Sequence, residues 1–171
     1  MTLEEILAVE EIKQLRSKYS HYCDGLELEK YLDLLAEDIV LEADQKHGGT
    51  VCGKQAVRAL VEAMMKRQKR YEMFHLVSNP LIELIDDTHG TGRWYLLDYN
   101  FMYAEEPFRV VCIYEDQYEK VNGEWIQKLT IHYNCVGALP IPDNTSLPVP
   151  DVTVNTRRGV YVTYEPAQNE Q

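Results

Sequence analysis

Cysteine is scarce and irregularly placed in this 171-residue chain: its four copies, Cys23, Cys52, Cys112 and Cys135, show no CxxC spacing. They sit inside apolar patterns, which reads as reduced core thiols rather than disulfides, zinc ligands or nucleophiles, so no metal site is expected. Basic residues are also few. Seventeen Lys and Arg against 28 Asp and Glu leave a net charge of −11, which excludes nucleic acid as a partner, because that binding depends on cations displacing counterions from phosphates. The one basic run, Lys66-Arg67-Gln68-Lys69-Arg70, fits the solvated C-terminal end of a helix. No apolar run approaches about 20 residues. The start, Met1-Thr2-Leu3-Glu4-Glu5, has neither the basic head nor the apolar stretch of a signal peptide. A cytoplasmic protein with no membrane partner is expected. GxSxG, GxGxxG, HExxH and a Gly-rich phosphate loop are all missing, which leaves acyl-enzyme, nucleotide and zinc-hydrolase mechanisms without support. Acid–base chemistry without a cofactor remains.

Phe is down to three copies while Tyr reaches twelve. Such aromatics make an apolar lining that still donates hydrogen bonds, suited to a ring-bearing ligand. The length allows one domain with a proper core.

Ile6, Val9, Ile12, Leu15, Tyr19 and Tyr22 recur at three- and four-residue spacing. They predict one apolar stripe on a helix that ends where Gly25 adopts the left-handed conformation. A second helix is expected from Glu27 to Leu35, a strand over Ile39 to Ala43, and a third helix from Gly53 into the basic run. Segments near 72–86, 90–104 and 107–121, rich in β-branched and aromatic residues, read as strands. A fourth, from Glu124 to Val136, follows Asn122-Gly123, a strong hairpin signal. Helices followed by a meander give an α+β domain whose curved sheet wraps the helices. From Pro140 the Pro-rich tail reads as an extended arm, so the division is a domain over 1–139 and an arm over 140–171.

Strand alternation puts Met73, His75, Val77 and Asn79 on one face, and Trp94, Leu96, Asp98, Asn100 and Met102 on one face of the next strand. Lys128, Thr130, His132 and Asn134 would share a polar face of the last. Asp24 stands at the exit of the first helix. If the fold brings it to His75, an acid at a helix end orients an imidazole on a strand, which makes a general base.

Tyr19-Ser20-His21-Tyr22-Cys23-Asp24-Gly25, Phe74-His75-Leu76-Val77-Ser78-Asn79 and Tyr118 through Trp125 together resemble the SnoaL-like branch of the nuclear-transport-factor-2-like superfamily, over roughly residues 3–138. Within that branch the motifs, with Gly92 through Asp98, most resemble bile-acid 7α-dehydratase, and the Asp/His pair also resembles scytalone dehydratase and hexachlorocyclohexane dehydrochlorinase. The resemblance implies a cone-shaped α+β barrel, no cofactor, and an elimination in which His75 is the base and Asp24 its orienting partner. It further implies Tyr19 and Asp98 as catalytic groups, and substrate contacts from Trp94, Tyr22, His132 and Asn134. Asn134 stands where the bile-acid enzyme has Arg, which favours a neutral cyclic, steroid- or polyketide-like substrate over an anionic one. The reading is a dehydratase, with an isomerase or cyclase of the same chemistry, or a non-catalytic binding or assembly module, as alternatives. Oligomerisation is expected, because the outer sheet face would expose Val110, Cys112 and Tyr114 or their alternates, and the resemblance implies a homodimer or homotrimer.

Overall fold

The computed structural model of the chain describes residues 1–42, 49–67, 73–100 and 108–140, and the side chains of these except residues 64, 67, 100, 108 and 132–140. The arm expected over 140–171 lies outside the described residues beyond Pro140, as do residues 68–70 of the basic run.

Helix α1 (Leu3–Asp24) starts at a capping box, in which the Thr2 hydroxyl accepts from the Glu5 amide while the Glu5 carboxylate accepts from the Thr2 amide. Two of the helix's orphan donors are satisfied this way. The helix buries Ile12, Leu15, Arg16, Tyr19 and Ser20, whereas Ile6 is exposed. The inward stripe thus begins one turn later than its apolar spacing predicts and takes in a charged residue.

The exit of α1 also differs from expectation. Gly25 has φ −79, in the right-handed region, and the left-handed residue is Leu26 at φ 57. The Glu27 amide donates to the Tyr22 carbonyl and the Leu26 amide to that of Cys23, the two bonds of a Schellman cap with Leu26 at the position usually given to Gly. Gly25 is instead small because a Cβ there would meet the His21 carbonyl oxygen at 2.9 Å.

Helix α2 (Leu28–Asp33) leads into strand β1 (Leu35–Glu42), β2 (Val51–Cys52) and helix α3 (Lys54–Arg67), followed by β3 (Met73–Leu84), β4 (His89–Asn100), β5 (Phe108–Val121) and β6 (Glu124–Pro140). Asn122 and Gly123, with φ 53 and 88, close the β5–β6 hairpin, and both positive values are what a tight two-residue turn requires.

The strands form one six-stranded sheet in the order β2-β1-β6-β5-β4-β3. All pairings are antiparallel except β1 with β6. The sheet is curled but not closed: β2 and β3 are its two ends, so the barrel expected from the resemblance is an open one. β2 and the parallel contact carry no sequence signal.

Register decides which side chains meet. Trp94, Leu96, Val110, Cys112, Tyr114, Tyr118 and Trp125 are buried with Ile12 and Leu15 of α1 in one cluster. A second cluster gathers Tyr19, Tyr31, Leu32, Leu35, Ile39 and Val57. Each fully buried Leu or Ile here contributes about 1.5–3 kcal/mol relative to exposure. Val110, Cys112 and Tyr114 therefore face inward, and it is their alternate, Val111, that is exposed on the outer face together with Tyr95 and Leu76.

One expected face is broken. β6 slips against β5 so that Gln117 pairs with Leu129 but Tyr118 with Gln127. The extra residue, Lys128, bulges outward to pair with Asp38 and Glu119. Gln127 and Thr130 share the interior in its place, both fully buried. Cys52 is exposed, contrary to its reading as a core thiol. Among the described residues no helix is long and apolar enough to cross a membrane.

Candidate active site

β3 ends the sheet, so alternate amides along it have no strand to donate to, and a buried unpaired amide is costly. The amide of His75 donates to Asp24 Oδ2 at 2.9 Å. The other carboxylate oxygen, Oδ1, lies 2.5 Å from His75 Nδ1. Asp24 therefore holds both the backbone and the ring of His75, which fixes the strand edge and leaves Nε2 as the free basic atom. Only 10% of the His75 side chain and 19% of the Asp24 side chain are exposed, so water competes weakly for these bonds.

Because the His75 amide turns away from β4, His75 and its partner Asp98 form the narrow kind of antiparallel pair, in which side chains stand closer together. Burial pulls the His75 pKa down, but the Asp24 hydrogen bond and the charges of Asp98 and Asp24 outweigh it, with Arg16 opposing them, and the net pKa is raised. Asp98 thus joins the pair electrostatically.

Tyr19 lies one turn before Cys23 on α1 and is 5% exposed. Burial pushes its pKa up to about 12, against the lowering pull of Arg16, so the hydroxyl keeps its proton at neutral pH. Its ring meets that of Tyr31 edge-on, with centroids 4.9 Å apart.

Two residues that apolar patterning passed over complete the interior. Arg16 is fully buried, its guanidinium carbon 4.2 Å from the Tyr19 ring centroid and 3.8 Å from that of Tyr114. Its Nε stands 3.6 Å from Asp116 Oδ2. Burial opposes the charge, yet the Asp116 carboxylate together with Tyr114, Tyr19 and Tyr118 outweighs it, and the guanidinium's pKa is raised. Asp116 accepts from the Tyr118 hydroxyl at 2.6 Å, Thr130 Oγ1 at 2.9 Å and Gln127 Nε2 at 3.2 Å. Arg16 was detectable: it falls four residues after Ile12 and three before Tyr19, inside the stripe.

Trp94 is on the inner face but donates its indole N–H to the Tyr118 oxygen at 3.0 Å, so its polar atom belongs to this buried network rather than to His75. Tyr22 is half-buried, and Lys30 Nζ lies 5.5 Å from its ring centroid on the α2 side. The backbone of Asn134 pairs with Cys112 and that of His132 with Tyr114, while their side chains lie outside the described residues. His21 is exposed, as expected, and His89 is an exposed turn residue held by Asp86.

The sequence profile of the SnoaL-like domain matches residues 4–129, a span that runs from α1 through most of the sheet and includes Asp24, His75 and Asp98. The chain belongs to the SnoaL-like family. A protein of unknown function with a cystatin-like fold from Nostoc punctiforme PCC 73102 is similar at 28% identity and a TM-score of 0.60, covering 74% of this chain and 90% of that one. A candidate scytalone dehydratase from Novosphingobium aromaticivorans DSM 12444 superposes with a TM-score of 0.70 at 22% identity, covering 80% and 89%. A hexachlorocyclohexane dehydrochlorinase, LinA type 2, does so with a TM-score of 0.73 at 15% identity, covering 82% and 93%. The last two likenesses are of fold.

In this SnoaL-like chain Cys23 adds a further donor beside the pair: Cys23, Asp24 and His75 each offer one ligand atom, all within 4.8 Å of one another. Burial, then Asp24 and Asp98, push the Cys23 thiol's pKa up, so it stays protonated when nothing is bound.

Proposed function

We propose that the protein is a cofactor-independent carbon–oxygen lyase, a dehydratase, that acts on a hydrophobic cyclic substrate of steroid- or polyketide-like character. The observation that carries this reading is the double contact of Asp24 with His75. Nδ1 is committed to the carboxylate, which fixes the tautomer with Nε2 free to accept a proton, and the imidazolium that forms is stabilised by the adjacent charge.

In the proposed reaction neutral His75 takes a carbon-bound proton made acidic by a conjugated carbonyl. The electron pair left on carbon forms the new double bond as the hydroxyl departs. Tyr19, whose hydroxyl keeps its proton at neutral pH, supplies the proton that lets it leave as water, while Asp98 supports the positive charge that forms on His75. The names of two structural neighbours, a candidate scytalone dehydratase and a hexachlorocyclohexane dehydrochlorinase, are those of eliminating enzymes, which agrees with this reading. A purely binding role accounts for the bond from Asp24 to the strand amide but not for the one to the imidazole.

The same base would serve an isomerase, which returns the proton to carbon instead of expelling a leaving group. Screening conjugated enones and β-hydroxy ketones by absorbance in deuterated solvent tests both. Gain of the enone chromophore marks elimination and its loss the reverse, and deuterium uptake without either marks isomerisation. His75→Ala should lower the rate by about 10²–10⁴-fold; turnover close to wild type would remove His75 from the mechanism.

A further inference from the structure

We propose that Cys23, Asp24 and His75 form a binding site for a thiophilic divalent cation such as Zn²⁺, whose occupancy excludes the base from working. The inference rests on the same residues as the proposed function but asks a different question of them. The expectation of no metal site came from cysteine spacing along the chain, and spacing along the chain says little about spacing in the fold.

One thiol, one carboxylate and one imidazole are the donor types zinc takes, and bonds of about 2.0–2.3 Å put tetrahedral ligand atoms roughly 3.3–3.8 Å apart. The three atoms here lie within 4.8 Å of one another; seating a cation means opening the 2.5 Å hydrogen bond between Asp24 and His75 by about 1 Å and turning Cys23 inward. Cys23 and Asp24 are consecutive at the end of α1, and the β3 edge brings His75 to them. All three side chains are partly exposed, which leaves a way in.

The charge balance favours a cation. Asp98 faces His75 across the β3–β4 pair and adds a second carboxylate to that of Asp24. The nearby Arg16 is already compensated by Asp116. The carboxylates of Asp24 and Asp98, which favour positive charge on His75, favour a divalent ion in the same place. Binding replaces the Cys23 thiol proton and engages an imidazole nitrogen, so the cation and a substrate proton compete for one group. No electron is transferred; the proton released passes to solvent.

Cobalt provides the probe, since Co²⁺ takes zinc-type ligands and reports thiolate bonding by colour. Titrating the full chain with Co²⁺ should give one ion per chain and a near-ultraviolet thiolate-to-Co²⁺ charge-transfer band. Affinity should rise about tenfold per pH unit while one proton is released on binding. Cys23→Ser and Cys23→Ala should each abolish the band and weaken uptake by at least about tenfold, with circular dichroism checking that both fold. Cys52→Ser, at an exposed thiol elsewhere, should change neither. A band that survives in both Cys23 variants, or no saturable uptake by the wild-type chain, overturns the proposal. The base assignment stands or falls separately, on turnover by His75→Ala in chelator-treated protein.

Discussion

Asp24, the last residue of α1, accepts both the main-chain N–H and the ring Nδ1–H of His75, a residue 51 positions further along the chain. One carboxylate thus ties the helix to the sheet edge and sets the imidazole's tautomer, and the two tasks are separable. Asp24→Asn keeps a carbonyl oxygen to accept one bond but removes the charge. The His75 titration midpoint, followed by NMR of the imidazole C–H signals, should fall relative to wild type, because the largest raising influence is gone while burial still acts. Turnover should drop by about 10²-fold or more. An unmoved midpoint would show that Asp24 does not govern the ring.

The raised His75 pKa gives stability a definite pH dependence. The folded value lies above the unfolded one, near 6.5, so folding favours the protonated ring. That contribution is fully present below about pH 6.5 and is lost as pH rises through the folded value. Urea midpoints of the wild type should therefore fall relative to those of His75→Gln between about pH 6 and pH 9. Since the base must be neutral to act, the rising limb of kcat/KM should lie above pH 6.5. A gap between the two proteins that does not change across this window contradicts the assignment.

The dyad was legible because both halves carried local signals. Asp24 stood at a helix exit and His75 on an alternating strand, and a family resemblance supplied the long-range link that periodicity cannot. The cap was misread by one residue, since glycine's preference for positive φ pointed to Gly25, whereas the backbone puts Leu26 there and uses Gly25 to let the His21 carbonyl approach. The polar face of β6 is broken at Lys128 for another reason: alternation assumes an unbroken ladder, and a slip shows only in the pairing of β6 with β5. Arg16 carries no apolar signal, because a charged side chain ordinarily stays in water. A guanidinium flanked by two tyrosine rings and opposed by a carboxylate is the exception.

Arg16 and Asp116 are both fully buried, and the removal of either strands the other. Arg16→Met and Asp116→Leu should each destabilise by about 3–5 kcal/mol, because each leaves an uncompensated charge in the interior. The double variant should lose markedly less than the sum, since it removes both charges and replaces them with apolar groups of similar size. Urea unfolding of the four proteins reads the coupling directly. Additive losses would mean that the two groups are held by their other neighbours and not by each other.

Gly92 offers a test of how tightly the network beneath the site is packed. It lies on the inner face of β4 opposite Asp116, and a Cβ added there would meet Tyr118 Cε2 at 2.8 Å and Trp94 Nε1 at 2.9 Å. Neither neighbour is a free end: both side chains are buried, Trp94 donates to Tyr118, and Tyr118 donates to Asp116. Alanine is otherwise the better residue inside a strand, by roughly 0.5–1 kcal/mol of backbone entropy. The clash should win, because relieving it means moving a ring off its hydrogen bond, and overpacking a filled interior costs about 1–3 kcal/mol. Gly92→Ala should therefore lower the urea midpoint and shift the near-ultraviolet circular dichroism of Trp94 and Tyr118. A variant at least as stable as wild type would mean that the Trp94–Tyr118–Asp116 chain yields readily and does not hold the interior in one arrangement.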